Sequence, residues 1–466
     1  MSAGMFDSFF TRHWFSSEAT AIWDDVSTLQ SWLAVEGALA LAQAELGLIP
    51  TAAARTIAAK ANAQAFDLKR LSRDIAHAQH PFVPVLRQYE ELCGEPAAGF
   101  IHWGATTQNI FDTATSLQML RSHRLLAGFL DGAIDSLCGL AQEHRNTVQA
   151  GRTHGQHALP MTFGFKLAGW IDELDRDRTR LNDRLGPSFV ATLGGAIGTD
   201  AAMGGKGREV ETRLAARLGL QPAGLSLRSS YDRVSDYVST LGLLAGTAQK
   251  IAQDVVFMQR TEIGEVEEAF HLGKVGSSTM AQKRNPSTAL LLTSLARMLR
   301  SRVPAALEAM VRMDEGDSSA TNVTDALLPE IAILGASVAD TLSRLVRGLV
   351  VHPEVMRSNL GLTNGLIASE AVMMRLTAWM GRHEAHHLLY EAAQRSITEK
   401  IPILDAIRQH PMLAGRALPD DFSRSLEPGA YVGASAALAS ATVARVAARQ
   451  VAERGDDPGL RVAPSR

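Results

Sequence analysis

Three polar blocks in the 466-residue chain contain side chains that could carry out acid–base chemistry. They are residues 99–109 (GFIHWGATTQN), 151–160 (GRTHGQHALP) and 273–286 (GKVGSSTMAQKRNP). Each block adjoins a long helical pattern, and polar segments held on rigid helices are common positions for catalytic groups. We expect function to arise only if the three blocks converge in space.

The third block combines adjacent serines with a lysine and an asparagine. A serine hydroxyl is a poor base unless its anion is stabilised, and backbone N–H groups of a Gly/Ser loop with a nearby ammonium can stabilise it. Lys283 and Asn285 offer donors suited to a carboxylate. The block therefore favours an anion-binding loop with Ser277 as a possible base. A polar inter-helix loop ending in a helix cap is the alternative, and spacing alone leaves both open.

The other two blocks hold a histidine and a possible helix start. Histidine is the usual general acid near neutral pH, so His154 could protonate a substrate. A loop histidine is more often a hydrogen-bonded structural residue, and both interpretations stay open. In the first block, Thr107 or Asn109 could cap a helix that begins near Ile110, and helix N-termini also bind anions.

The positions of proline indicate long helices. No proline occurs between residues 96 and 160 or between residues 222 and 286, and proline inside a helix removes a hydrogen bond and clashes with the preceding turn. Heptad-like apolar stripes fill both gaps: Leu126, Leu130, Ala133, Leu137 and Ala141, then Leu244, Ala248, Ile251, Val255 and Met258. The second stripe predicts a helix over 236–269. No segment shows sustained alternation of period two.

These patterns predict an all-α fold with three helical domains. The predicted domains are 1–110, 111–355 and 356–466, and the middle one is a bundle of long helices. Helices of this length need bundle partners to cover their apolar stripes. We therefore expect the chain to form oligomers.

Composition excludes several classes of protein. The net charge of -3 argues against a dedicated nucleic-acid binder. The two cysteines, Cys93 and Cys138, provide neither a disulfide framework nor a structural cysteine–zinc site. The N-terminus has no apolar stretch of signal-peptide length, and the longest low-charge segment, 429–444, is shorter than a membrane span of about 20 residues. We expect a cytoplasmic protein that binds neither membrane nor nucleic acid.

The three blocks together resemble the signature motifs of the fumarase/aspartase superfamily. Residues 276–286 (GSSTMAQKRNP) resemble its GSSxMPxKxNP loop, and 151–160 and 104–109 resemble its second and first motifs in the same order. The branch of adenylosuccinate lyase and 3-carboxy-cis,cis-muconate cycloisomerase is similar also at 22–23 (IW), 36–40 (EGALA) and 259–267 (QRTEIGEVE). The resemblance runs from about residue 12 to about residue 450.

The resemblance implies a reversible elimination in which a proton leaves the carbon next to a carboxylate and fumarate is the usual product. It implies a homotetramer with sites built from three subunits, a small dicarboxylate substrate, and no cofactor or metal. Ser277 would be the base and His154 the acid. The remaining implied site residues bind carboxylate oxygens or line the site: Lys283, Asn285, Thr106, Thr107, Thr153, His80 and His102.

Departures from the adenylosuccinate lyase pattern point to another substrate. Those enzymes place Arg, Ser and Arg around the nucleotide phosphate, where this chain has Gly316, Thr321 and Asp325. Their N-terminal Arg-Tyr is replaced by His13 and Trp14. Losing two cations and gaining a carboxylate would penalise a phosphate, since charge-assisted hydrogen bonds contribute about 1.5–3 kcal/mol each. We predict a succinyl-type substrate other than adenylosuccinate, split at a C–N bond in preference to a C–O bond.

Two alternatives belong to other classes. A cycloisomerase would add a carboxylate across a muconate double bond, but bacterial members commonly show tryptophan where this chain has His154. Their Gln-Arg-Asp-Arg run keeps only its last arginine here, Arg233, which we retain as a substrate-binding candidate. A non-catalytic structural homologue is disfavoured because Ser277, Lys283 and Asn285 are intact. The family proline is replaced by Ala281.

A zinc-hydrolase-like pattern, HExxH, occurs at residues 383–387. Its first and last histidines would share one helical face. The stretch also resembles a C-terminal helix that is common in this lyase branch, and no third ligand adjoins it. We therefore favour a structural helix over a zinc site.

Overall fold

The computed structural model describes residues 4–271, 273, 276–419 and 421–456, with side chains up to residue 450. Helices dominate these residues and confirm the all-α prediction. The helices are α1 (Ser17–Ile22), α2 (Asp25–Glu45), α3 (Thr51–Lys60), α4 (Leu68–Ala78), α5 (Val83–Cys93), α6 (Thr107–Glu143), α7 (Phe163–Ser188), α8 (Gly207–Leu218), α9 (Asp232–Met258), α10 (Ser287–Arg300), α11 (Val303–Glu308), α12 (Ser318–Arg347), α13 (Pro353–Leu360), α14 (Ser369–Met380), α15 (Arg382–Glu399), α16 (Ile403–Arg408) and α17 (Ser435–Asp456).

Short strands join the helices in three two-stranded pairs within the described residues. The strands are β1 (Val148–Thr153), β2 (Gln156–Thr162), β3 (Val190–Ala191), β4 (Gln221–Pro222), β5 (Val266–Glu267) and β6 (Val350–Val351). β1 pairs antiparallel with β2, β3 parallel with β4, and β5 antiparallel with β6.

The chain divides into two compact units. The first comprises Met1–Leu130, Arg176–Gln249 and Leu291–Thr341, and the second comprises Asp131–Asp175, Lys250–Leu290 and Leu342–Arg466. The division into three domains at 1–110, 111–355 and 356–466 stays a prediction.

Each unit has a core of buried aliphatic side chains. In the first, helices α2, α3 and α5 pack with α8 and the start of α6 around Leu33, Ile57, Val85, Ile110 and Leu214. In the second, helices α14, α15 and α16 enclose Val372, Leu376, Leu388, Ile403 and Ile407. Burial of apolar area on this scale stabilises the helices that present the polar blocks.

The predicted apolar stripes are confirmed as core positions. Every stripe residue of α9 is at most 1% exposed, and those of α6 are at most 3% exposed. The helix predicted over 236–269 is wrong beyond Met258, where α9 ends. The Glu265 amide donates to the Met258 carbonyl, and Gly264 takes a left-handed conformation with φ of 60°. The chain therefore turns back and enters β5.

The second polar block forms a β-hairpin that the sequence analysis did not predict. Strands β1 and β2 run antiparallel from the Val148–Thr162 pair to the Thr153–Gln156 pair. Their register shifts between Ala150 and Arg152, and consecutive residues 149 and 150 are both buried. A bulge of this kind breaks the alternation of apolar and polar residues by which a strand is recognised in a sequence.

Among the described residues, two helices are long and apolar enough to cross a membrane by length and composition alone. These are α6 and α12, with 33% and 72% of their most apolar windows buried. Charged residues interrupt both helices, so neither is a continuous low-charge segment in the sequence. Both also bury polar groups, including His123 of α6 and Ser337 of α12. A core helix passes the same test, and cytoplasmic location stays a prediction.

Candidate active site

His154 lies at the tip of the β1–β2 hairpin. His154 and Gly155 join the paired residues Thr153 and Gln156, with φ of 53° and 77° respectively. A two-residue turn with positive φ at both positions suits the twist of the flanking strands and favours glycine at the second position. The His154 side chain is exposed and has no hydrogen-bond partner among the described residues. Its ring is therefore free to meet a ligand, with the exposed Thr153 beside it.

A buried ion pair fixes the base of the hairpin. Arg152 donates two hydrogen bonds, of 2.9 and 2.6 Å, to the carboxylate of Glu265, which is fully buried. Asn359 donates a further bond of 2.9 Å to the same carboxylate. Arg152 is thus engaged in structure, and the hairpin is tied to the segment that leads into β5.

Ser277 sits in a loop that is arranged to stabilise an anion on its hydroxyl oxygen. Ser277 Oγ accepts hydrogen bonds from the backbone N–H groups of Thr279, at 3.2 Å, and Met280, at 3.0 Å. Two amide donors aimed at one oxygen favour its deprotonated form. Gly276 allows the fold, because a Cβ there would overlap the Lys283 carbonyl oxygen.

Lys283 and Asn285 lie on the return side of the same loop. The Asn285 side-chain amide donates to the Gly276 carbonyl, which closes the loop and uses one of the two N–H groups that were predicted to bind a carboxylate. The Lys283 side chain is exposed and has no partner among the residues that the structure describes. The loop therefore contains a candidate base, Ser277, and the ammonium of Lys283, which bonds to none of the described residues.

Three side chains of the stretch 259–268 hold this loop in place. Gln259 donates to the Arg284 carbonyl at 3.3 Å, and Glu267 pairs with the Arg284 guanidinium at 2.9 Å. The buried Glu268 carboxylate accepts from the backbone N–H groups of Thr288 and Ala289 at 3.0–3.1 Å. Such a carboxylate satisfies the otherwise unpaired donors at the start of α10.

The first block places Thr106 and Thr107 at the N-terminus of α6, which begins at Thr107. Asn109 Oδ1 accepts from the Thr106 amide at 3.1 Å and from the Gly195 amide at 3.1 Å. Neither threonine hydroxyl has a hydrogen-bond partner in the described part of the chain. The helix was expected to begin near Ile110 with Thr107 or Asn109 as its cap, but it begins at Thr107, so Asn109 lies inside the first turn and its side chain bonds back to the Thr106 amide. Free hydroxyls at a helix N-terminus suit a carboxylate.

His80 and His102 are held by opposite kinds of contact. His80 Nδ1 accepts from the backbone N–H groups of Phe82 and Val83, both at 3.2 Å, and so caps α5. His102 Nδ1 lies 2.6 Å from a carboxylate oxygen of Glu36. The His102 ring meets the Phe82 ring at 5.4 Å between centroids.

Arg233 lines a small cavity of about 50 Å³ in the first unit, together with Asp112 and Tyr231. Its guanidinium reaches the Ala223 carbonyl at 3.5 Å. Burial raises the pKa of Asp112 to about 6, although a hydrogen bond from Gln108 opposes the shift. No contact joins Arg233 to the candidate histidines within the described residues of this unit.

Gly316, one of the positions that depart from the adenylosuccinate lyase pattern, lies beside the side chain of Arg228. A Cβ on Gly316 would come within 3.0 Å of the Arg228 guanidinium carbon, so this glycine makes room for Arg228. Arg228 and Arg312 donate to main-chain carbonyls, those of Ala196 and Arg228 respectively, both at 3.0 Å. Arg312 also donates to the Thr321 and Thr324 hydroxyls at 3.4 Å, whereas Arg228 Nε is buried without a hydrogen-bond partner among the described residues.

Asp325 lines a second cavity, of about 330 Å³, in the first unit. Its walls include Trp23, Trp32 and Phe111, and the two last rings stack at 4.5 Å. Burial raises the pKa of Asp325, with Arg312 opposing the shift. A carboxylate among aromatic faces disfavours a phosphate and suits a neutral or cationic group.

The predicted site residues thus fall into two sets. His80, His102, Thr106, Thr107 and Arg233 belong to the first unit. The second unit holds Thr153, His154, Ser277, Lys283 and Asn285. The supporting carboxylates Glu36, Glu265 and Glu268 were not predicted from the sequence. Glu36 and Glu265 lie in stretches that resemble the family, but an acidic residue is commonly solvent-exposed, so the sequence does not indicate their buried contacts.

The HExxH stretch lies on α15 as a helix. His387 and His410 both pair with Glu391, at 3.5 and 2.8 Å. Among the described residues, no group of three or more His, Cys, Asp or Glu side chains is arranged to hold a metal ion.

Two family models match the chain. A model described as "Lyase" matches residues 13–300, and one described as "Adenylosuccinate lyase C-terminus" matches residues 365–442. The N-acetyl-S-(2-succino)cysteine lyase of Dickeya dadantii is 38% identical over 90% of this chain and 92% of its own length. The adenylosuccinate lyase of Methanocaldococcus jannaschii is 37% identical over 89% and 91% of the two chains.

A solved structure has the same fold along nearly the whole chain. The 3-carboxy-cis,cis-muconate lactonizing enzyme of Pseudomonas putida superposes with a TM-score of 0.88 at 31% identity, covering 95% of this chain and 99% of its own. These matches, with the three motifs on a helical scaffold, establish the class. The chain belongs to the fumarase/aspartase superfamily of lyases, in the branch of adenylosuccinate lyase and the muconate cycloisomerases.

We predict that Arg152→Met lowers the free energy of unfolding by about 3–5 kcal/mol, because it leaves the Glu265 carboxylate buried without its cation. Urea unfolding measures the change. Arg70→Met is the matched control, since Arg70 makes a similar two-bond pair with Glu91 but on the exposed surface. The control change is expected to be below about 1 kcal/mol. Equal losses in both variants would contradict a special role for the buried pair.

We predict that Asp112→Asn stabilises the protein more at pH 8 than at pH 4. The folded-state pKa of Asp112 is raised from 3.8 to about 6, so ionisation costs stability as the pH rises through this range. The cost is at most about 3 kcal/mol, and asparagine avoids it while keeping the oxygen that accepts from Gln108. Thermal unfolding at the two pH values measures the difference.

Asp67→Asn provides a control of opposite sign. Asp67 caps α4 through backbone hydrogen bonds that lower its pKa, so its contribution to stability is present at neutral pH and lost in acid. Because the pKa is lowered from 3.8, the loss occurs below that value, and this variant should be destabilised more at pH 8 than at pH 3. An Asp112→Asn variant whose melting temperature shifts equally at pH 8 and pH 4 would refute the prediction.

Proposed function

We propose that this protein removes a leaving group from a small succinyl-type substrate by β-elimination and releases fumarate. The observation that carries the proposal is the Ser277 loop, in which two backbone N–H groups point at the serine oxygen and an uncommitted lysine lies on the same loop. A deprotonated serine in such a loop is a base for a carbon acid whose carboxylate binds the lysine.

In the proposed reaction, each motif supplies a different group. Ser277 takes the proton from the carbon next to a carboxylate that Lys283 and Asn285 hold. The electron pair of that C–H bond forms the new double bond, and the bond to the leaving group breaks. His154 supplies the proton that the leaving group takes away. The intermediate is a dianionic aci-carboxylate, so the number of donors around it matters more than the strength of the base.

The second carboxylate would bind Thr106 and Thr107, with Thr153 assisting. Their unbonded hydroxyls support this assignment, as does the helix N-terminus beneath the first two. His80, His102 and Arg233 are proposed to line the substrate site. Because these groups are divided between two units of the chain, we propose sites completed by several subunits of a homotetramer, without cofactor or metal.

The leaving group is proposed to lack a phosphate and to be attached through nitrogen, oxygen or sulfur. Sulfur is included because the Dickeya dadantii relative is named for N-acetyl-S-(2-succino)cysteine. The cavity that contains Asp325 supports a neutral or cationic leaving group. Adenylosuccinate is disfavoured because Gly316 and Asp325 occupy the two positions at which the family resemblance places arginines around its phosphate.

A second candidate is a cycloisomerase of the muconate type. The superposition on the Pseudomonas putida lactonizing enzyme favours it. His154 opposes it, because a proton donor at this position suits departure of a leaving group. Consumption of carboxymuconate with every succinyl compound inert would establish the cycloisomerase and overturn the proposal.

We predict that Ser277→Ala lowers kcat by about 100-fold or more, since a positioned base contributes about 10²–10⁴-fold. Fumarate release is followed by its ultraviolet absorbance on a panel of N-, S- and O-succinyl compounds. Ser278→Ala is the matched control, because Ser278 is the exposed neighbour in the same loop. Its rate should fall far less. Unchanged activity of Ser277→Ala with normal assembly would remove serine from the role of base.

We predict that Asp325→Arg raises kcat/KM for a phosphorylated succinyl substrate relative to an unphosphorylated one by about 10-fold or more. A charge-assisted hydrogen bond contributes about 1.5–3 kcal/mol, enough for such a change. Glu308→Arg makes the same change of two charge units at an exposed position of α11 outside the cavity lining. Equal effects of both variants would show that net charge, and not the cavity, controls the preference.

A further inference from the structure

His102 is tied to a carboxylate that the reaction proposed above does not use. Glu36 lies within α2 and is 1% exposed, among the apolar side chains of the first core. One of its oxygens accepts from the His102 backbone N–H at 3.1 Å, and the other lies 2.6 Å from His102 Nδ1. A carboxylate buried in this way needs donors on both oxygens.

The same face of α2 holds the block at a second point. Gln43, seven residues after Glu36, donates from its side-chain amide to the Trp103 carbonyl at 2.6 Å. Both contacts fix the backbone of residues 102 and 103, where His102 has a left-handed φ of 58°. Only the Glu36 contact reaches the imidazole ring. Substitutions of Glu36 and Gln43 can therefore distinguish an effect on the imidazole ring from an effect on the backbone alone.

When the His102 imidazole is neutral, the geometry assigns its single ring proton to Nδ1. An imidazole is intrinsically more basic than a carboxylate, so the proton of the 2.6 Å contact stays on the ring. Nε2 is then without a proton, and it has no partner among the described residues. His80 has the opposite form, because its Nδ1 accepts from two backbone N–H groups and its Nε2 must carry the proton.

We propose that Glu36 is a positioning residue that fixes His102 as a hydrogen-bond acceptor, while His80 is a hydrogen-bond donor. The pair would select a substrate that presents a donor, such as an N–H or O–H of the leaving group, to His102 Nε2. The functional part of this inference rests on the proposed elimination. The assignment of the proton does not, and it can be tested separately.

The substitution Glu36→Gln reverses the proton position without emptying the site. The backbone N–H of His102 must still meet an oxygen, so the amide oxygen faces it and the NH₂ group faces Nδ1. Nδ1 must then accept, and the proton moves to Nε2. We expect kcat to fall by about 100-fold and KM to change much less. The misplaced proton disturbs the orientation of the bound substrate more than it weakens substrate binding.

Solid-state ¹⁵N NMR of histidine-labelled full-length protein reports the proton position. The His102 signals are identified by their loss in His102→Asn. Glu36→Gln should exchange the protonated and unprotonated nitrogen signals of His102 and leave those of His80 unchanged. A wild-type spectrum with a proton on His102 Nε2, alone or together with one on Nδ1, would overturn the inference, whether or not any substrate is turned over.

Two further variants separate positioning from folding. Gln43→Leu removes the neighbouring anchor of the same backbone and should leave the His102 proton on Nδ1. In the His102→Asn background, Glu36→Gln should have no further effect on kcat, because it acts through the ring. An undiminished 100-fold loss in that background would overturn the positioning role. Absence of fumarate release from the wild type would instead reject the proposed function and leave the NMR result to stand.

Discussion

Buried carboxylates hold each of the three polar blocks on the helical scaffold. Glu36 binds the first block at His102, Glu265 binds the second at Arg152, and Glu268 caps the helix that follows the third. All three are at most 3% exposed. A buried charge is tolerated only when donors surround it, so each carboxylate permits few arrangements of its block. The orientation of the candidate catalytic side chains depends on these contacts.

This constraint explains how exposed loops can carry groups that need accurate placement. His154 lies on a two-residue turn, and Ser277 lies in a loop whose side chains are mostly exposed. Neither segment has an apolar core of its own. Arg152 and Glu265 hold one segment, and Gln259, Glu267 and Glu268 hold the other. The scaffold is thus rigid at the base of each block and open at the reactive end, as sites built on helices require.

In the proposed function, the elimination chemistry and the choice of substrate reside in different residues. The Ser277 loop and the α6 N-terminus are suited to carboxylates, which every succinyl substrate has. Asp325 and its aromatic walls lie in a cavity of the first unit that does not include those groups. Members of one fold can therefore exchange leaving groups by changing such a cavity without altering the groups that hold the dicarboxylate.

The sequence alone predicted the helical class, the apolar stripes of α6 and α9, and the candidate residues in the three motifs. Periodicity and motif spacing are local properties, so they can be recognised without coordinates. It did not predict the bulged hairpin, the end of α9 at Met258 or the partners of Glu36, Glu265 and Glu268. Those depend on residues far apart in the chain, such as the 66 positions between Glu36 and His102. Only the tertiary structure could decide them, because whether a carboxylate is solvated or buried against a donor is set by packing and not by its neighbours in sequence.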